Sequence, residues 1–384
     1  MTSLWYQLSN PAAVSSPALL LYLDRVRKNI RGMIATAGGV DRLRPHMKTH
    51  KMAEVIRLQM EQGITKFKCA TIAEAEMVAR CGAPDVLLAY QPVGPNVDRL
   101  FQLIRAFPKT EFAVVADDID SIRALSTASQ GAHEAGAISP RAGAGPEGAK
   151  LEVLLDLDVG QHRTGVEPGP KAIELYRLIA SSTGLKPGGL HAYDGHIHDT
   201  EFANRTKNCD AAFAPVAYLR EELVRDGFLV PRIVAGGTPT FPIHAQRPDV
   251  ECSPGTCVFW DAGYETKLPD LDFLPAALVL TRVISKPTRT RLCLDLGHKA
   301  IASEMPHPRV QFLNLPEAIA VTHSEEHLVV QTERAGEFLV GDCVYGIPWH
   351  ICPTVALHSE AVVVEQGKAS QRWKVAARER RLTI

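Results

Sequence analysis

Between residues 17 and 235, short apolar runs alternate with segments of helical period. The runs fall at 18–23, 43–48, 66–70, 85–89, 111–116, 152–158, 189–193 and 232–235. Apolar strands of this length, separated by amphipathic segments, read as repeated strand–helix units with a parallel sheet. Eight of them over about 240 residues fit a (β/α)8, TIM-like barrel, whose usual length is close to that. A doubly wound open sheet is the alternative, since pattern alone does not close a sheet. Thr71 is placed to cap a helix from 72 to 80, and a long helix is expected from 203 to 225.

From about Phe273 the texture changes. β-rich runs at 276–286, 290–296, 326–332 and 361–364 follow without long helices between them, as in a smaller antiparallel C-terminal β domain. The expected division is therefore a barrel at 17–265 and a β-rich domain at 266–384, with 1–16 added to the latter. Residues 127–150 are dominated by Gly, Ala, Ser and Pro and read in part as an exposed or mobile loop. The chain has 384 residues, 46% of them hydrophobic and 22% charged, with a net charge of -1. Mixed charges argue against nucleic acid as a partner, and no apolar run reaches membrane-spanning length. Residues 1–10 do not read as a secretory signal, and the eight scattered cysteines show no framework spacing. Both point to reduced thiols in a cytoplasmic protein.

Chemically capable groups recur just after the strands. Lys48 ends the second, in Arg44-Pro45-His46-Met47-Lys48-Thr49-His50-Lys51. A lysine there is costly to desolvate and often persists because its amine forms a Schiff base. Arg163 sits between Gly160 and Gly165, placed to bond an anionic oxygen. Gly236-Gly237-Thr238-Pro239-Thr240 and Ser253-Pro254-Gly255-Thr256 pair glycines with hydroxyls, a composition that surrounds phosphate but also makes plain turns. His191, Asp194, His196, His198 and Asp199 form the densest titratable cluster, with His323 and His327 as possible additions. His350-Ile351-Cys352, read as an extended segment, would turn an imidazole and a thiol to one side. Two such ligands leave a divalent ion open to water and substrate.

Together these motifs are similar to those of the D-threonine aldolase and D-serine dehydratase family, fold type III enzymes related to alanine racemase. The run from Arg44 to Lys51 resembles the family's pyridoxal-phosphate lysine motif. The resemblance extends in order through 158–166, 236–240, 253–256 and 350–354. It implies a barrel carrying pyridoxal 5'-phosphate, a β domain contributing Mn2+ or Zn2+, and an active site at a homodimer interface. By that resemblance Lys48 would hold the cofactor covalently and Arg163 would contact its phenolic oxygen. Gly236, Gly237, Thr238, Gly255 and Thr256 would hold the phosphate, Tyr193 would line the pocket, and His350 and Cys352 would bind the metal. His196 and His198 compete as catalytic base, with His198 preferred. Ser253 stands where related proteins often carry a larger polar or basic residue. The segment 191–199 looks aldolase-like, whereas Cys352 matches the dehydratases. The implied activity is metal-assisted cleavage of small D-β-hydroxy-α-amino acids to glycine and an aldehyde. Dehydration by an ammonia-lyase acting on D-serine or D-3-hydroxyaspartate is the alternative. A non-catalytic pyridoxal-phosphate carrier is a third reading, and the extra β domain and His350-Ile351-Cys352 argue against it.

Overall fold

The computed structural model describes residues 4–134 and 150–384. The chain forms two compact units, each assembled from three segments. One comprises Met1–Gly32, Thr49–Val55 and Thr256–Arg378; the other comprises Met33–Lys48, Ile56–Gly255 and Glu379–Ile384. Residues 17–32 and 256–265, expected in the barrel, thus cluster with the β-rich unit.

Strand β1 (Ala18–Tyr22), expected to open the barrel, is not part of it. The barrel unit is built on β2 (Lys66–Cys69), β3 (Asp85–Leu88), β4 (Glu111–Ala116), β5 (Leu151–Leu157), β6 (Leu185–Ala192), β7 (Ile233–Ala235) and β8 (Val250–Cys252). These pair in sequence order, all parallel. The extended segment before Lys48 closes the ring. Leu43 bridges Cys252 on β8 and His46 bridges Lys68 on β2, both in parallel. Arg44 N donates to Cys252 O at 2.9 Å, Met47 N to Lys68 O at 2.8 Å, and Lys68 N to Pro45 O at 2.9 Å. The eighth barrel strand is therefore β8, a three-residue strand with Glu251 at its centre, which the hydrophobic pattern passes over.

Side chains alternate across this sheet, so every second residue points inward. Leu87, Ala113, Val115, Leu154 and Val234 form one buried cluster. They come from strands as far apart in sheet order as β3 and β7, so they meet across the interior. Lys66, Asp85, Glu152 and Glu251, with Arg44 and Arg232, occupy the end where the strands begin. Arg44 is buried and holds Asp85 through both terminal nitrogens, at 2.6 and 2.8 Å, and Glu251 through Nε at 2.7 Å. Lys68, Asp156 and His191 lie toward the strand C-terminal end. The expected cap holds: Thr71 Oγ1 accepts from Glu74 N, and the helix Ile72–Arg80 follows. The long helix runs Phe202–Arg225. Within the expected loop at 127–150, residues 127–134 are instead the end of the helix Ile119–Glu134. The stretch 135–149 lies outside the described residues.

In the β-rich unit, β1 is joined by β9 (Ala277–Thr288), β10 (Arg291–Leu294), β11 (Val310–Phe312), β12 (Ile319–His323), β13 (Leu328–Gln331), β14 (Cys343–Pro348), β15 (Glu360–Glu365) and β16 (Lys368–Lys374). The order is β12-β13-β10-β9-β1-β15-β16, with β14 pairing β9 and β11. All five residues of β1 are buried. It runs antiparallel to β9 and parallel to β15. A strand buried on both faces has the continuous apolar composition that also marks a barrel strand.

Candidate active site

Lys48 follows the ring-closing segment in a tight turn, where its backbone N–H donates to His46 Nδ1 at 3.3 Å. Its ammonium lies 5.4 Å from the centre of the Tyr193 ring, and the Arg163 guanidinium carbon lies 5.0 Å from the same centre. A third cation, Lys68, sits 5.6 Å from it. An aromatic face offers such cations a favourable quadrupole, worth about 0.5–2 kcal/mol each. The ring's own place is tightly bounded. A methyl group on Gly195 would fall 2.4 Å from Tyr193 Cε1, and one on Gly237 would fall 3.0 Å from Cε2.

The Arg163 loop is held from inside. Asp158 Oδ1 accepts from Gly160 N at 2.9 Å and His162 N at 3.0 Å, and Asp158 Oδ2 contacts His162 Nδ1 at 2.8 Å. Gly165, at φ +97°, closes it, because a side chain there would strike the backbone of Leu157 and Asp158. Burial would raise the Asp158 carboxyl, but these backbone and imidazole bonds outweigh it and hold it low.

The two glycine–hydroxyl loops follow β7 and β8, the positions that phosphate sites of such barrels favour. They are joined to each other: Gly255 N donates to Thr238 Oγ1 at 3.2 Å. Behind the first loop is a buried network. Thr240 Oγ1 accepts from Gly237 N at 3.2 Å and donates to Asp194 Oδ1 at 2.8 Å, while Asp194 Oδ2 lies 2.8 Å from His244 Nε2. Asp194, Cys209 and His244 bring three metal-capable atoms within 4.8 Å of one another. Arg247, however, donates to His244 Nδ1 at 2.7 Å, which leaves the imidazole proton on Nε2, facing Asp194. Burial pushes the Cys209 thiol up to about 12, away from the thiolate a metal requires. The trio therefore works as a hydrogen-bonded brace for the loop.

The histidines of the cluster separate. His191 is buried; its Nδ1 lies 2.6 Å from Asp156 Oδ1 and its Nε2 3.5 Å from Lys68 Nζ. Burial lowers its basicity, against the pull of Asp156. His196 is half-buried, with Nδ1 enclosed and without a hydrogen-bond partner among the described residues. Its Nε2 packs against Gly160, where a methyl group would stand only 3.0 Å away. His198 is exposed, and its Nδ1 meets the carbonyl of His196 at 2.7 Å.

In the β-rich unit, His350 and Cys352 are not on an extended segment as expected. β14 ends at Pro348, and His350 is the N-cap of the helix Ile351–Leu357. Asp261 Oδ2 accepts from Ile351 N at 3.0 Å, and Pro353 falls in the first turn, where a missing N–H costs nothing. The two groups still converge. Burial would lower His350, but Cys352, Glu304 and Asp261 outweigh it and raise it to about 9. Glu304 Oε1 holds His350 Nδ1 at 2.5 Å, which leaves Nε2 to serve as a ligand. Thr49 Oγ1 and Thr256 Oγ1 lie 3.2 and 3.5 Å from Cys352 Sγ. Asp261, Gly263, Tyr264, Met305 and Trp349 line a cavity of about 150 Å³ beside His350. His323 belongs to another cluster, edge-on to His298, tilted against His307 and bonded by Arg309 at 2.9 Å.

The expected residues thus divide between the units. Lys48, Arg163, Tyr193, His196, His198, Gly236, Gly237, Thr238 and Gly255 belong to the barrel unit. Thr256, His350 and Cys352 belong to the β-rich one. Lys68, Asp156, His244 and Glu304 carry no motif; only the charged alternation in Lys66-Phe67-Lys68 hints at the first.

The pattern of the alanine racemase N-terminal domain matches residues 21–262, and that of a putative serine dehydratase domain matches 276–364. A D-threonine aldolase of Arthrobacter sp. is 30% identical over 374 residues, 96% of this chain and 93% of its own. The chain belongs to the D-threonine aldolase and D-serine dehydratase family. It is a pyridoxal-phosphate-dependent lyase with an alanine racemase-like fold. A 3-hydroxy-D-aspartate aldolase of Paracoccus denitrificans (strain Pd 1222) is likewise 30% identical, over 95% of this chain and 92% of its own. The crystal structure of D-threonine aldolase from Filomicrobium marinum superposes with a TM-score of 0.84 at 29% identity, covering 96% of both chains. Among the described residues no helix is long and apolar enough to cross a membrane.

The barrel unit of this family member fits an anionic aromatic cofactor. Two lysines and an arginine lie within 5.6 Å of the centre of one aromatic ring, two glycine loops are tied together after β7 and β8, and Ser253 Oγ is buried without a hydrogen-bond partner among the described residues.

Proposed function

We propose that this lyase is a metal-assisted D-threonine aldolase, cleaving D-β-hydroxy-α-amino acids to glycine and an aldehyde. Lys48 Nζ holds pyridoxal phosphate, Arg163 meets its phenolic oxygen, and Gly236, Gly237, Thr238, Gly255 and Thr256 receive its phosphate. Tyr193 bounds the ring. When bound, the cofactor supplies an electron sink for charge developing at Cα, and a divalent ion on His350 and Cys352 supplies Lewis acidity at the β-hydroxyl. An imidazole with a thiolate suits zinc better than manganese. Glu304 fixes the tautomer of His350 so that Nε2 is the ligand atom.

The proton of the β-hydroxyl goes to a histidine following β6. His196 suits that task better than His198, because its Nδ1 is enclosed and has no hydrogen-bond partner among the described residues, while His198 is exposed and bonded to a carbonyl. The observation that carries the aldolase reading is the match to two aldolases at 30% identity over nearly the whole chain. Cys352 favours the second reading, a D-serine or D-3-hydroxyaspartate dehydratase, since dehydratases resembling this chain carry cysteine there. A cytoplasmic homodimer is proposed with either reading.

Incubation with D-threonine decides between them. Acetaldehyde with glycine, lost on chelation and restored by zinc, is expected; 2-oxobutyrate with ammonia would replace the aldolase by the dehydratase.

A further inference from the structure

Thr49 follows Lys48 directly in the chain, yet nothing proposed so far gives it a task. It is completely buried. Among the described residues its hydroxyl has a single hydrogen-bond partner, Cys352 Sγ, at 3.2 Å. The turn that carries Thr49 is fixed without that bond. His50 is buried with its ring edge-on to Phe259, and its Nδ1 accepts from Met52 N at 3.1 Å. Lys51, at φ +54°, offers its carbonyl to Ala377 N at 3.2 Å. Cys352 is placed just as independently. It lies in the first turn of the helix Ile351–Leu357, whose start is held by Asp261. One turn on, Thr354 Oγ1 donates to His350 O at 2.8 Å and accepts from Ala302 N at 3.2 Å. Hydroxyl and sulfur are thus brought together by bonds other than their own.

We propose that Thr49 is a positioning residue for the metal site: its hydroxyl donates to the Cys352 sulfur and so aims that ligand and tempers its charge. Thr256 Oγ1, at 3.5 Å, is a second and longer donor to the same atom. This rests on the reading that His350 and Cys352 hold a divalent ion. A cysteine releases its proton to solvent when it takes up a metal, and then has only lone pairs to offer. A hydroxyl that could accept from a neutral thiol can then only donate. Bonds of this kind orient a ligand atom and draw off part of its charge, and losing one typically costs about 10–100-fold in metal affinity. Glu304 gives His350 the same kind of support. Each proposed ligand therefore has its own partner from a different stretch of chain. A threonine that merely satisfied its hydroxyl on a thiol would add nothing to metal affinity.

The test uses the full chain, stripped of metal and titrated with zinc against a chromophoric chelator. Thr49→Val keeps the shape of the side chain without its hydroxyl, and is expected to weaken zinc binding by about tenfold or more. Thr49→Ser keeps the hydroxyl and is expected to lose less than about threefold. Cobalt(II) in place of zinc gives a second readout, the charge-transfer absorption from the cysteine sulfur to the metal. Without the hydrogen bond the sulfur lone pairs rise in energy, so this band moves to longer wavelength in Thr49→Val and stays in place in Thr49→Ser. A band unmoved in Thr49→Val, an unchanged zinc affinity there, or equal changes in both variants would overturn the proposal. Should Thr49→Val not fold, Thr49→Ala takes its place with the same expectations. A wild-type cobalt protein without the sulfur band is a separate result, which removes Cys352 as a ligand and with it the metal site itself.

Discussion

Tyr193 is the residue around which the barrel site is arranged, because Lys48, Lys68 and Arg163 all face its ring. Two glycines leave it room. In Gly195→Ala the new methyl group must displace the ring, since it would lie 2.4 Å from Cε1 and 2.6 Å from Cζ. Losing one ring contact is worth up to about 1.5 kcal/mol, so the affinity for pyridoxal phosphate should fall on the order of tenfold. Titration of the visible absorbance checks this, and an unchanged affinity would mean that Tyr193 does not bound the cofactor. Lys48, Arg163 and the glycine loops could be proposed from the sequence because they recur in order after the strands, although Gly-Gly-Thr-Pro also makes a plain turn. Lys68 could not. Lys66-Phe67-Lys68 reads only as part of a strand, and nothing in the pattern shows that its charged residues point into the barrel interior. There Lys66 finds Glu251 and Lys68 finds His191.

At the level of elements, the decisive one is the segment from Leu43 to His46, which bridges both edges of a seven-stranded sheet and so delivers Lys48 to its position. Arg44 anchors it from below with two carboxylates. Burial would raise Asp85 and Glu251, but Arg44 outweighs it and holds both below their usual range. Their contribution to stability is therefore present above the unfolded carboxylate range, near pH 4, and is lost as pH falls through the lowered native values. Arg44→Met leaves two largely buried carboxylates facing each other without their main partner. A loss of about 3–5 kcal/mol in denaturant unfolding at neutral pH is expected, shrinking in acid. A loss independent of pH would contradict the ion-pair account. The segment itself was legible as a strand. Its partners were not, because Val250-Glu251-Cys252 is too short and too polar to register. β1 was misassigned for the opposite reason, as an apolar strand fits equally well between β9 and β15. The helical start at Ile351 was hidden because His350 is an unusual cap and its support comes from Asp261, distant in sequence.

For the whole molecule, the change of texture near Phe273 located a second unit but not its composition. Each unit takes three stretches of chain, and Lys48 and Gly255 are the last barrel residues before the chain passes to the β-rich unit. Sequence pattern shows where elements are; which sheet a strand joins is decided by pairings across hundreds of residues, such as Leu19 with Ala361. The family assignment covers both units, and the proposed chemistry depends first on which amine holds the cofactor. Two lysines, Lys48 and the buried Lys68, lie near the same ring, so the choice can be measured. Borohydride reduction of the full, cofactor-loaded protein, followed by peptide mass mapping, should place the reduced pyridoxyl group on Lys48, with none in Lys48→Ala. Its appearance on Lys68, or its persistence in Lys48→Ala, would contradict the account.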